Sequence, residues 1–182
     1  DKPCDSPEGL ALKVEVLPFK LSKPDIPIGL FYSLPFQYKW YKEYKSYKWG
    51  AIERQLYDML EHGFNTIAYA GKPKVKKVSA SGEVTLEAKQ FIELLKVYKH
   101  LGFDQPMAGY GLNGVFHKIQ EITAGDQKRF KAALVDAYRQ INAYAKTYAG
   151  VEIIAGLADE LSNPGGEGID SILDAAKILK EH

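Results

Sequence analysis

Val151-Glu152-Ile153-Ile154-Ala155-Gly156-Leu157-Ala158-Asp159-Glu160 opens as an apolar, β-branched run and closes on two adjacent carboxylates. A long helical pattern precedes it, and a Gly-rich turn into another helix follows. This is the pattern of a buried parallel strand that delivers acidic side chains at its C-terminal end. In folds built of alternating strands and helices, that end is where chemistry gathers.

Working outward, the same alternation recurs. Short apolar strands are expected at Ile28–Tyr32, Phe64–Tyr69 and Pro106–Gly111. Helices are expected over Ala51–His62, Glu87–Leu101, within Thr123–Gly150 and over Ile169–Leu179, where apolar residues return every three or four positions. Asp126 stands where an N-cap belongs. Gly63, Gly102 and Gly150 stop their helices. Between Gly71 and Leu86, Val75 and Val78, then Ser81-Gly82, then Val84 and Leu86 predict a small hairpin. Its lysines Lys72, Lys74, Lys76 and Lys77 suit a solvated edge better than a ligand site.

From residue 27 the order is thus β-α-β-hairpin-α-β-α-β-α, which calls for a parallel sheet with right-handed crossovers. The expected fold class is α/β: a partial (β/α)8 barrel of TIM type with about four β-α units. A closed barrel needs eight units, so residues 27–182 are expected to be its first half. The missing C-terminal half is then the structural partner. A doubly wound four-stranded sheet is the alternative. Residues 1–26 are expected to be the tail of an upstream β-sandwich and a linker. Within them Leu12, Val14 and Val16 alternate with charged residues, and Pro24 and Pro27 mark the break.

Composition narrows the function. The formal net charge of +1 gives no field favouring nucleic acid. No apolar run approaches the roughly 20 residues that span a bilayer. The one cysteine, Cys4, has no internal disulfide partner, and no Cys/His cluster has metal spacing. No cofactor and no metal are expected, nor a nucleic-acid or membrane partner. Four tandem Tyr-Lys triplets run from Tyr38 to Trp49. A period of three drifts around a helix, so they do not form one stripe. They suit a loop whose tyrosines pack and whose lysines stay wet, aromatic platforms for a sugar, or stacking and cationic contacts to single-stranded nucleic acid, the last opposed by the near-zero net charge. His117 is expected in the loop after the third strand, where histidine is more often merely exposed than an acid or base.

These motifs together carry a resemblance. Val16-Leu17-Pro18-Phe19-Lys20-Leu21 followed by a Pro-rich linker comes first, then a strand ending Gly29-Leu30-Phe31-Tyr32. A helix runs into His62-Gly63-Phe64-Asn65-Thr66, and a later strand ends in Asp159-Glu160. Over most of residues 10–182 the chain resembles the catalytic domain of glycoside hydrolase family 123, of β-N-acetylgalactosaminidase type. Members have Asp-Glu-Pro, and here Leu161 stands in place of the Pro.

The resemblance implies substrate-assisted, retaining hydrolysis of a 2-acetamido sugar in a secreted or periplasmic setting. Glu160 is then the general acid/base. Asp159 orients the acetamido group, whose carbonyl oxygen attacks the anomeric carbon. Tyr32, Trp40, Tyr69, Tyr110 and Asn113 are the candidate substrate-binding residues. The spacing agrees with such chemistry. An ordinary retaining pair flanks the bond with its carboxyls about 5–5.5 Å apart, whereas adjacent strand residues point to opposite faces. If the substrate supplies the nucleophile, two neighbouring acids need only reach different atoms of one sugar. Leu157 and Leu161 beside them favour a raised carboxyl pKa through desolvation. The 182-residue chain alone is expected to be inactive. The alternative function is a non-catalytic carbohydrate-binding barrel that uses exposed aromatics.

Overall fold

The computed structural model describes residues 15, 25–33, 49–69, 72–157 and 169–181. Most of the expected sandwich tail over residues 1–26, most of the Tyr-Lys triplets, Trp40, Asp159 and Glu160 lie outside them.

The protein is α/β. In chain order the elements are β1 (Gly29–Tyr32), α1 (Trp49–Glu61), β2 (Thr66–Tyr69), β3 (Lys74–Val78), β4 (Val84–Glu87), α2 (Lys89–Leu101), β5 (Met107–Gly109), α3 (Asn113–Ile122), α4 (Gln127–Tyr148), β6 (Ile153–Ala155) and α5 (Ile169–Lys180). A single 3-10 turn, Tyr110–Leu112, joins β5 to α3. The helices form where the apolar period is helical. In α1, for instance, Ile52, Leu56 and Met59 are buried along one stripe. Asp126 caps α4 as expected, accepting the Arg129 backbone N–H at 2.9 Å.

Four strands form one parallel sheet in the order β1-β2-β5-β6. Each parallel strand therefore lies beside its predecessor, and the winding never reverses. A doubly wound sheet needs such a reversal, so the described sheet excludes that alternative. The sheet is consistent with a partial TIM-like fold, and no barrel is closed: β1 and β6 are free edges among the described residues.

Register separates the two faces. Phe31 pairs with Ala68, Ala68 with Ala108, and Ala108 with Ile154. That row is exposed at its ends, Phe31 by 59% and Ile154 by 56%. The alternate residues Ile67, Tyr69 and Met107 are buried in one core with Leu56, Phe91, Leu95, Leu134 and Ile141 of the helices. One-way winding with right-handed crossovers puts the helices on one side and leaves the other open.

Tyr98 of α2 ties the strand starts together. Its hydroxyl lies 3.0 Å from Thr66 Oγ1 and 2.8 Å from the Gln105 carbonyl oxygen, and Thr66 donates to the Pro106 carbonyl at 2.6 Å. Burial pushes the Tyr98 hydroxyl from 10.0 up to about 12, against the opposing effect of the Thr66 hydrogen bond. A raised folded-state value means that the folded protein holds this proton more tightly than the unfolded chain. The associated stability is complete below about pH 10 and is lost as pH rises to about 12. On the order of 2–3 kcal/mol is expected to disappear across that window. Denaturant unfolding at stepped alkaline pH checks this. In Tyr98→Phe the alkaline loss should shrink, and an identical loss in that variant would assign it elsewhere.

The hairpin β3–β4 is antiparallel, with a bulge between Val75 and Lys77. It lies across α3 and α4. Three α4 side chains take up its backbone groups. Arg129 donates to the Val78 and Ser79 carbonyls at 2.7 and 2.9 Å. Asp136 accepts the Val84 N–H at 2.7 Å, and Gln140 donates to the Val84 carbonyl at 2.8 Å. The helix thus serves β4 in place of a further strand and blunts a sheet edge.

Candidate functional site

Tyr32 and Tyr69 end β1 and β2 in register with each other, and Tyr110 follows directly after β5. Tyr69 points into the helical core, 3% exposed, with its ring stacked on Phe91 at 5.7 Å. Burial raises its hydroxyl pKa far above the ordinary value. It is a core residue, and the expectation that it contacts substrate is corrected accordingly. Tyr32 has the same parity in β1. It is half-buried, and its hydroxyl donates to Gln55 Oε1 of α1 at 3.0 Å.

Tyr110 lies just past β5, where the chain turns, and is 38% exposed. Its ring meets the exposed ring of Phe31 at 4.8 Å between centroids, with the planes at 81°. Asn113 follows as the half-buried first residue of α3. Tyr110 is thus in contact with an exposed partner ring, and that partner, Phe31, was missed. The run Gly29-Leu30-Phe31-Tyr32 is too short and too uniformly apolar to reveal which parity faces the helices.

Glycines bring β5 and β6 close at this end. The Gly156 N–H donates to the Gly109 carbonyl at 3.1 Å, and a Cβ on Gly156 would sit 2.9 Å from that same oxygen. A Cβ on Gly109 would meet the Leu112 side chain at 2.5 Å. The close approach signalled by glycine in this strand is therefore made by the protein's own atoms.

His117 lies on α3 rather than in a loop, exposed, with its ring against Phe116. The basic charge of the hairpin is partly offset: Lys76 and Lys74 both pair with Glu87, and the Lys76 hydrogen bond holds the Glu87 carboxyl below its usual range. Among the described residues no cluster of three or more His, Cys, Asp or Glu is arranged to hold a metal ion. No described helix is long and apolar enough to cross a membrane.

A cavity of about 180 Å³ lies between α4, β6 and α5, lined by Tyr138, Arg139, Asn142, Ile153 and Leu179 among others. It opens on the helical side of the sheet, and no carboxylate among the described residues lines it. The C-terminal strand ends, in contrast, lie next to the sequence that leads into Asp159 and Glu160. A scan against family models finds no match to this chain, and no curated protein and no solved structure matches it.

Proposed function

We propose that this chain is the first half of a (β/α)8 barrel of glycoside hydrolase type, acting on 2-acetamido sugars by substrate-assisted, retaining hydrolysis. The observation that carries the proposal is the one-way sheet β1-β2-β5-β6, with helices on one face and an apolar face left open. That is how a (β/α)8 barrel begins, and such barrels react at the C-terminal ends of their strands. Asp159 and Glu160 follow the last residue of β6 by four and five positions. A second set of four strands is the expected partner, covering the open face and pairing with the free edges of β1 and β6. In this scheme Glu160 protonates the glycosidic oxygen and later activates water. Asp159 holds the acetamido N–H, so that its carbonyl oxygen can attack the anomeric carbon.

The test is made on the longest natural polypeptide containing residues 1–182. A nitrophenyl 2-acetamido-galactoside should be cleaved, and the galactoside with a plain hydroxyl at that carbon should not. Equal cleavage of both would remove substrate assistance from the scheme. One observation favours the non-catalytic alternative: the exposed Phe31 and Tyr110 rings are suited to hold a sugar without any acid. Glycan binding with no hydrolysis of either substrate would select it.

A further inference from the structure

We propose that the open cleft between the start of β3 and α3 binds a tetrahedral oxyanion, a phosphate or sulfate monoester carried on a small molecule. The cleft has a volume of about 450 Å³, which lies in the usual range for small-molecule sites. An oxyanion fills one part of it and leaves room for the group that bears it. Gly114, His117, Lys118 and Glu121 recur at helical steps of three and four, so one face of α3 supplies one wall. Val115, Phe116 and Ile119 of the same helix are buried. Lys72, Lys74 and Val75, on the way into the hairpin, line the other wall.

Lys72 is the decisive residue. Lys74 and Lys76 share the Glu87 carboxylate, and Lys118 pairs with Glu121 at 2.7 Å. Lys72 forms no ion pair or hydrogen bond with any described residue. Its side chain lies over Gly114 instead, and a Cβ built on that glycine would overlap the Lys72 Nζ. Gly114 is the second residue of α3, whose first turn holds no acidic residue. Helices favour anions at this end and cations at the other, because the first N–H groups already present partial positive charge. An ammonium laid there is a cation beside a positive pole, and a bound anion offsets both. Lysine serves phosphate as a compact point charge with three donors, and His117 and Lys118 border the same cleft.

The position agrees with a ligand site. Lys72 comes three residues after the end of β2, and Gly114 five after the end of β5. These two strands are neighbours in the sheet. Their C-terminal ends, where (β/α) folds hold ligands, therefore bring the two residues together. The cleft is bounded by the hairpin and a helix, so strands added to the open sheet face do not fill it. It does not depend on the carbohydrate reading and stands whether or not Asp159 and Glu160 are catalytic.

Sodium phosphate and sodium sulfate are the probes. Each is titrated into the same natural polypeptide at constant ionic strength, with sodium chloride as the control, and backbone amide NMR shifts are followed. The Gly114 and His117 amides should shift saturably with one or both oxyanions and stay in place with chloride. The oxyanion bound more tightly identifies the ester. Lys72→Met removes the charge, keeps an unbranched stem and should weaken binding about tenfold, as for the loss of one charged hydrogen bond. Gly114→Ala should weaken it similarly by pushing the ammonium aside. The atom displaced is the far end of a flexible side chain and alanine favours a helix, so the unfolding midpoint of that variant should not fall. Lys77→Met removes a hairpin charge outside the cleft lining and should leave binding unchanged. Shifts that never saturate, equal shifts in chloride, or wild-type affinity in Lys72→Met would each overturn the site. Equal losses in Lys72→Met and Lys77→Met would overturn it too, because binding would then follow overall charge.

Discussion

Glu160→Gln is expected to lower hydrolysis of an alkyl 2-acetamido-galactoside by about 10²–10⁴-fold, the usual contribution of a positioned general acid/base. The amide keeps the shape of the side chain and removes its transferable proton. The loss should depend on the leaving group. An alkoxide departs poorly without a proton, whereas a dinitrophenolate departs without one, so the deficit should shrink on the activated substrate. Asp159→Asn should behave differently. Its deficit should persist on the activated substrate, because orienting the acetamido nucleophile is needed whatever leaves. Rates from both variants on both substrates make a four-way comparison. Equal deficits for Glu160→Gln on the two leaving groups would deny it the acid role, and full activity would remove it from the site.

Gly82→Ala should give a large stability loss, about 2–5 kcal/mol. Gly82 has φ +92°, and a Cβ built on it lies 2.4 Å from the Ala132 Cβ of α4. The left-handed backbone costs an L-residue roughly 1–2 kcal/mol. Overpacking against a helix adds about 1–3 kcal/mol when the atoms it meets, the Ala132 Cβ and the Ala133 backbone N, have no flexible end to move aside. The hairpin would lift from α4 and strain the bonds from Arg129, Asp136 and Gln140. Urea unfolding measures the loss. Adding Ala132→Gly should recover the packing share but not the backbone share, so the double variant should fall between the two. A Gly82→Ala midpoint equal to wild type would show that the turn does not rest on the helix as described.

Much of the architecture was legible because it is local. The helical stripes of α1, α2 and α4, the Asp126 cap, the hairpin turn and the four short strands are each written within a dozen residues. Boundaries moved by a few residues; the strand expected at Pro106–Gly111 forms only over Met107–Gly109, because the chain enters a 3-10 turn at Tyr110. His117 was misplaced for a related reason. Val115, Phe116 and Ile119 make a buried face over one short helix, too brief a pattern to stand out from a loop.

The candidate site was less legible. The tyrosines at the strand ends were visible, but their sides were not, since strand alternation fixes only that Phe31 and Tyr32 differ and not which one meets the helices. Packing settled that: Tyr32 reaches Gln55 of α1, and Phe31 meets Tyr110 on the open side.

By itself, then, the sequence determined the succession of elements, their caps and the run that leads from β6 into Asp159 and Glu160, because these depend on neighbouring residues. Only the tertiary structure decided the one-way strand order, the open apolar face and the docking of the hairpin. Those depend on pairs as distant as Val84 with Gln140 or Phe31 with Tyr110, which no local pattern records.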